Sequence, residues 1–170
     1  FMAHPLNNHF AIWINDKLTL KYVLNVPKLS GYMPEYYLYI ENDGQYTYLM
    51  DAPHDIPKDS DFLYNLLLKK EHLALKPNRG AGGAGFLGLH YVDGKIYKNS
   101  KPITRVELDA LMPLLNGYIV TEFIEQSKQM DEVYSKTACA LRIVLYKKVK
   151  EHKEAKAEYD CLLAYARFGT

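Results

Sequence analysis

The feature that most constrains this chain is a glycine-rich segment at residues 80–85, where four of the six residues are glycine. So much glycine is entropically unfavourable for folding, but it lets a loop turn its backbone N–H groups outward without bulky side chains in the way. Apolar stretches flank the segment, and Lys76 and Arg79 precede it. The pattern predicts an anion-binding loop between two strands, phosphate being the favoured guest. The alternative is a flexible surface linker with an exposed lysine and arginine.

The order of residues around the loop separates the known classes of phosphate loop. Gly80, Gly82 and Gly85 match the dinucleotide spacing, but that fingerprint requires a helix after the glycines, whereas the sequence here predicts a hairpin turning at Asp93-Gly94. A P-loop would need Lys and Ser/Thr where Phe86-Leu87 stands. A glycine flap between antiparallel strands remains, as in protein kinases and ATP-grasp enzymes. Kinases place their lysine after the flap, and this chain has neither a His-Arg-Asp nor an Asp-Phe-Gly triplet.

The remaining patterns predict an α+β fold with antiparallel sheets. Caps and apolar spacing indicate helices after Asp16, Asp61 and Thr104, and Asn42-Asp43-Gly44 is a strong hairpin signal. Further strands are predicted at 72–75, 86–91, 95–97, 118–124, 139–149 and 159–168, with the charged run 147–158 as a solvated turn.

Composition excludes several classes of function. Basic and acidic residues nearly balance, at 21 and 20, so nucleic acid is not an expected partner. The longest apolar run is far below the roughly 20 residues that span a bilayer, so no membrane span is expected. Cys139 and Cys161 lack a second pair, which favours buried thiols and a cytoplasmic location. Because both ends lack natural terminal signals, we expect protein to be missing at each.

Several motifs, in their order, resemble those of the ATP-grasp superfamily. The chain is most similar to the sugar-transfer associated ATP-grasp proteins of polysaccharide biosynthesis. The resemblance begins at Asn15-Asp16-Lys17, which is similar to the family's early Asp-Lys helix, and covers nearly the whole chain. It continues through Leu-Lys-Pro-Asn-Arg-Gly-Ala-Gly-Gly-Ala-Gly at 75–85, Val-Thr-Glu-Phe-Ile-Glu-Gln at 120–126 and Ala-Leu-Arg-Ile-Val at 140–144.

The resemblance implies a partial ATP-grasp domain over residues 1–170. Residues of about 15–117 would hold the N-terminal part and the glycine-flap subdomain, and residues of about 118–170 would start an incomplete C-terminal subdomain. The nucleotide cleft would lie between these two subdomains, which consist of antiparallel sheets with flanking helices.

The resemblance also implies roles for individual residues. Lys76 would bridge the α and β phosphates of ATP, and the loop from Arg79 through Gly80, Gly82, Gly83 and Gly85 would cover the β and γ phosphates. Glu122 and the main chain of Phe123 and Ile124 would recognise adenine, and Glu125 is a candidate ribose contact. Arg142 and Arg167 would reach the transferred phosphate. Without the resemblance, Glu122 and Glu125 are polar residues on the outer face of a strand, and the two arginines are solvent-facing.

The sequence departs from the family in two places. Cys139-Ala140 replaces the usual Asn-Thr before Leu-Arg-Ile, and the polar contacts expected there are lost. The magnesium ligands have no match before Thr170, so we assign no metal ligand in this chain and expect Mg²⁺ to be bound by residues beyond it.

The resulting hypothesis is the ATP-binding part of an ATP-dependent carboxylate–amine ligase. Its acceptor would be a small molecule or a saccharide-linked group of polysaccharide biosynthesis, and the oligomeric state is left open. A catalytically inactive nucleotide-binding sensor or scaffold is one alternative, and a kinase for a sugar or another small molecule is a second. The residues after Thr170 would distinguish the sensor, and product analysis would distinguish the kinase.

Overall fold

The computed structural model describes residues 12–80, 82–135, 137–148 and 158–168. The chain divides into two compact units, Phe1–Phe123 and Ile124–Thr170. The resemblance placed the boundary at about residue 118, but the two units divide after Phe123. The strand that starts at Tyr118 lies inside the sheet of the first unit.

A seven-stranded antiparallel sheet forms the centre of the first unit, in the order β2-β1-β7-β3-β4-β5-β6. The antiparallel α+β prediction is therefore confirmed. The strands are β1 Tyr36–Ile40, β2 Tyr46–Tyr48, β3 His72–Pro77, β4 Leu87–Val92, β5 Lys95–Lys98, β6 Lys101–Ile103 and β7 Tyr118–Glu122. The edge strand β6 was not predicted from the sequence, because its three residues include Pro102 and show no alternation of apolar and polar residues.

Four α-helices in the described part of the first unit lie outside this sheet. They are α1 Ile12–Asn15, α2 Lys17–Leu24, α3 Phe62–Lys70 and α4 Arg105–Leu111. The predicted caps of α2 and α4 are confirmed, since the Asp16 carboxylate accepts from the Thr19 N–H, and Thr104 with Glu107 forms a complete capping box. Asp61 stands at the N-cap of α3 but makes no side-chain capping bond.

The sheet has two faces with different coverings. The core face carries Leu73, Leu75 and Leu89, which pack with the apolar side chains of α3 and α4. The opposite face, called the α2 face, carries a smaller cluster in which Leu18 of α2 packs near Ile119. Because neighbouring residues in a strand point to opposite faces, Lys76 and its cross-strand partner Ile119 both belong to the α2 face.

The second unit contains a short helix and a two-stranded antiparallel sheet. Helix α5 is Lys128–Val133, capped by Ser127, and strands β8 Ala140–Lys147 and β9 Tyr159–Arg167 pair along their lengths. The run predicted as a solvated turn between these strands lies mostly outside the described residues.

The prediction that both thiols are buried is wrong. Cys161 is exposed and Cys139 is half-buried. The apolar neighbours of these cysteines suggested a core, but most described side chains of β8 and β9 remain exposed in the second unit.

Candidate functional site at the glycine-rich loop

The glycine-rich loop connects two neighbouring antiparallel strands. It leaves β3 at Pro77 and enters β4 at Leu87, so the prediction of a strand rather than a helix after the glycines is confirmed. All four glycines have positive φ, from 73° at Gly82 to 124° at Gly80. The Phe86 N–H donates to the Gly83 carbonyl oxygen at 3.1 Å, which closes a turn within the loop.

Gly85 is required for a steric reason as well as a conformational one. A Cβ added at this position would lie 2.7 Å from the Tyr118 hydroxyl oxygen and 2.9 Å from Cγ of Pro77. At Gly83 the same test finds no atom within 4 Å, so only the positive φ favours glycine there. The loop is therefore tightly held at its end and open in its middle.

Asp16 and Lys17 attach the start of the loop to helix α2. The Lys17 ammonium donates to the carbonyl oxygens of Pro77 at 2.8 Å and Gly80 at 3.1 Å. The Asp16 carboxylate accepts from Asn78 Nδ2 at 2.9 Å and from Arg79 Nε at 3.1 Å. The Asn-Asp-Lys motif thus fixes the corner between β3 and the loop, about 60 residues further along the chain.

Asp16 is held as a carboxylate despite its burial. Burial by itself raises the pKa of Asp16, but hydrogen bonds from the Thr19 N–H, Arg79 and Asn78 together bring the pKa below its ordinary value of 3.8. Arg79 therefore has its Nε–H engaged by Asp16, while its side chain remains 77% exposed. The exposed part of the guanidinium is free to meet a ligand from solvent.

Lys76 is half-buried on the α2 face, with its Nζ 5.5 Å from the centre of the Tyr36 ring. Burial lowers the pKa of Lys76, and the nearby positive charge of Lys17 lowers it further. Lys21 lies over the same ring at 5.3 Å, but its ammonium is 2.8 Å from Asp51 Oδ2. No carboxylate in the described ranges forms an ion pair with Lys76. The face therefore carries a partly desolvated cation that no described carboxylate neutralises.

The backbone amides of the loop complement this charge. Among the residues that the structure describes, none accepts a hydrogen bond from the amides of residues 82–85. Lys76 and Lys17 supply positive charge at the base of the loop, and these amides supply donors along it. This combination is the chemistry that binds an anion with several oxygens.

The predicted adenine segment is partly occupied by protein contacts. The Glu122 N–H donates to the Glu35 carbonyl oxygen at 2.8 Å, and the Glu122 carboxylate accepts from the Glu35 N–H at 3.1 Å. The main-chain groups of Phe123 and Ile124 make no hydrogen bond to any described residue. The division between the two units falls within this segment, and Ile124 and Glu125 are exposed on the second unit.

An aromatic cluster beside the loop was not predicted as part of the site. His72 and His90 are cross-strand partners whose ring centres are 4.8 Å apart, and the Phe123 ring packs against both. Phe86, at the end of the loop, lies 6.3 Å from Phe123. The sequence did contain an indication that His72 belongs near the site. Side chains alternate between the two faces of a strand, so His72, four residues before Lys76, lies on the same face of β3 as the lysine.

No family model, curated protein or solved structure matches the chain. The functional interpretation therefore depends on the residues of this chain. The ATP-grasp resemblance remains a hypothesis drawn from its motifs.

Arg142 and Arg167 lie on one face of the β8–β9 sheet. Arg142 is opposite Tyr165, and Arg167 is opposite Ala140. The two arginines are thus diagonal neighbours on adjacent strands, and both are exposed. This register brings two guanidinium groups together within the second unit, and their role in phosphoryl transfer stays a prediction.

Among the described residues, no three His, Cys, Asp or Glu side chains come together in a group that could hold a metal ion. No magnesium ligand is therefore assigned to them, and no step through the metal is derived. None of the described helices is long and apolar enough to cross a membrane.

Proposed function

We propose that this chain binds the triphosphate of ATP at the glycine-rich loop, with Lys76 as the main cationic contact. The observation that carries the proposal is the half-buried ammonium of Lys76, which has Tyr36 beneath it, Lys17 nearby and no carboxylate partner in the described ranges. A desolvated charge without a partner is unfavourable in the free protein. An anionic ligand would remove that penalty.

Polyphosphate suits this site better than a single small anion. The loop offers a row of amides, Lys17 and Lys76 carry point charges, and the exposed part of Arg79 can add a planar donor. Neighbouring phosphate groups of one ligand can contact the amides, the two lysines and Arg79 at the same time. The adenine would then contact the main-chain groups of Phe123, which make no hydrogen bond to any described residue, with Glu122 beside them.

We further propose that the chain belongs to an ATP-dependent ligase of ATP-grasp type, as its motifs suggest. In that reaction a carboxylate oxygen attacks the γ phosphorus, the bond to the β–γ bridging oxygen breaks, and ADP and an acyl phosphate form. An amine then attacks the acyl carbon and phosphate leaves. Arg142 and Arg167 would neutralise charge on the transferred phosphoryl group. The acceptor would belong to polysaccharide biosynthesis in the cytoplasm.

The experiment compares the ATP response of the whole chain with that of Lys76→Met. At ATP about 100-fold above Kd, binding stabilises the folded chain by about 2.7 kcal/mol, which raises Tm by roughly 8 °C in a protein of this size. Loss of one charge-assisted hydrogen bond lowers affinity roughly 10- to 150-fold. The variant should therefore show roughly a tenth to a half of the wild-type shift at the same ATP concentration.

Lys70→Met is the matched control. Lys70 also lies over a tyrosine ring, 5.3 Å from the centre of Tyr37, but it is ion-paired to Glu35 at 2.7 Å. This control should keep the full ATP response even if its basal Tm changes. A full response in Lys76→Met, or an equal loss in both variants, would refute the proposed phosphate site.

A further inference from the structure

A cavity of about 690 Å³ lies where helix α2 meets the end of β1 and the corner after β3. Thr19 and Tyr22 line it from α2, and Tyr39 lines it from β1. Asn116 and Gly117, just before β7, close another side. Lys76, the main proposed phosphate contact, does not line this cavity, whereas Arg79 lines it and is also a proposed phosphate contact.

The charges at the cavity wall neutralise each other. Asp16 and Arg79 form an ion pair at 3.1 Å. Asn78 uses both ends of its amide, because Nδ2 donates to Asp16 and Oδ1 accepts from the Leu18 N–H at 2.8 Å. This wall is therefore rigid and nearly neutral, unlike the unpaired charge at Lys76.

Three other polar side chains face the cavity without a hydrogen-bond partner among the described residues. They are Tyr22, Tyr39 and Asn116, whereas the Thr19 hydroxyl bonds to the Asp16 carboxylate. Two of the three groups are hydroxyls, each able to donate and accept, and the third is an amide with donors and an acceptor. The two tyrosine rings add apolar surface beside these polar groups.

We infer that this cavity binds an uncharged, polyhydroxylated ligand, namely a neutral saccharide unit. A sugar ring presents hydroxyls that alternate as donors and acceptors, and it presents C–H surfaces that pack on aromatic rings. The free hydroxyls and amide match the first property, and the tyrosine rings match the second. The volume lies within the range of pockets for small ligands. This inference does not depend on ATP binding at Lys76.

The test is an NMR titration of the ¹⁵N-labelled whole chain without ATP. The probes are glucose, galactose, N-acetylglucosamine and their β-linked disaccharides. At least one probe should produce saturable shifts of the Thr19 and Gly117 amides, with a Kd in the millimolar range. Absence of such shifts for every probe, up to about 50 mM, would overturn the inference.

Two variants and a control assign the binding to the cavity. Tyr39→Phe removes only a hydroxyl, and Asn116→Ala removes an exposed amide, so each should weaken binding roughly fivefold while the amide spectrum stays folded. Tyr97→Phe, on β5 and outside the cavity, should leave the affinity unchanged. Equal affinity in all three variants would overturn the assignment.

A charged probe distinguishes a neutral ligand from an acidic one. Glucuronate should bind no more tightly than glucose, because Asp16 already pairs with Arg79. If glucuronate alone binds and Arg79→Gln abolishes that binding, the ligand is anionic and the inference is refuted. The ATP melting experiment is independent, so failure of one proposal is distinguishable from failure of the other.

Discussion

Replacement of Lys76 by methionine should stabilise the ligand-free protein. Methionine keeps a long unbranched side chain beside Tyr36 but removes the charge, the repulsion by Lys17 and the desolvation penalty. Lys76 has no ion-pair partner among the described residues, so its removal leaves no buried carboxylate unpaired. Replacing buried charges by apolar side chains often stabilises by 1–4 kcal/mol, and Lys76 is only partly buried. The expected gain in unfolding free energy is therefore about 1 kcal/mol near pH 7.

The pH dependence provides a second, independent check on this reasoning. Because the pKa of Lys76 is lowered in the folded chain, the folded chain loses this proton before the unfolded chain, where the pKa is about 10.5. Between these two pKa values the unfolded chain binds more protons, so the unfolding free energy of the wild type rises with pH relative to Lys76→Met. The advantage of the variant should shrink as the pH approaches 10.5.

Urea unfolding at several pH values between 7 and 10.5 measures both effects. The two proteins should have equal m-values, because the exposed surface changes little. If the variant is less stable than the wild type near pH 7, or its advantage stays constant with pH, then Lys76 does not carry an uncompensated charge. That outcome would remove the observation on which the nucleotide proposal depends.

Three further predictions concern the loop corner and the core. Asp16→Asn should lower the unfolding free energy by about 2 kcal/mol, because it weakens the N-cap of α2 and the hydrogen bonds between α2 and the start of the loop. The control Asp55→Asn, on the surface, should leave urea unfolding unchanged. The effect of Asp16 should vanish as the pH falls through its lowered pKa. Gly85→Ala should lower the unfolding free energy by about 3 kcal/mol and Gly83→Ala by about 1 kcal/mol, because only the first substitution adds a clash. Equal losses in urea unfolding would refute the close approach of Gly85 to Tyr118 and Pro77. Burial, followed by nearby charges, raises the pKa of Tyr46 to about 12, so the unfolded chain loses that proton first and stability falls above pH 10. Tyr46→Phe should reduce this alkaline loss by about 1 kcal/mol, after allowance for solvent screening, and an unchanged profile would contradict it.

Much of the local structure could be predicted from short stretches of sequence. The turn at Asp93-Gly94 and the cap at Thr104 act through residues only a few positions apart, so their chemistry is visible in the sequence. The continuation of the glycine loop into a strand followed from the hairpin after it.

Other features depend on residues distant in the chain. The insertion of β7 between β1 and β3 engages the Glu122 N–H with Glu35, and local periodicity carries no information on that order. Local sequence likewise did not indicate that Asp16 pairs with Arg79, although Asp16 was predicted to cap a helix and Arg79 to belong to the phosphate loop. Exposure of Cys161 contradicted its apolar surroundings, because apolar neighbours do not specify which elements cover a strand.

The sequence by itself determined that a bare-amide loop lies between strands and is preceded by a lysine. Only the tertiary structure decided that this lysine has no counter-ion among the described residues, while Lys21 over the same ring has one. Charge compensation depends on distance in space, and folding brings together carboxylates and ammonium groups from any part of the chain. The composition counts such groups, but it cannot say which of them remains unpaired.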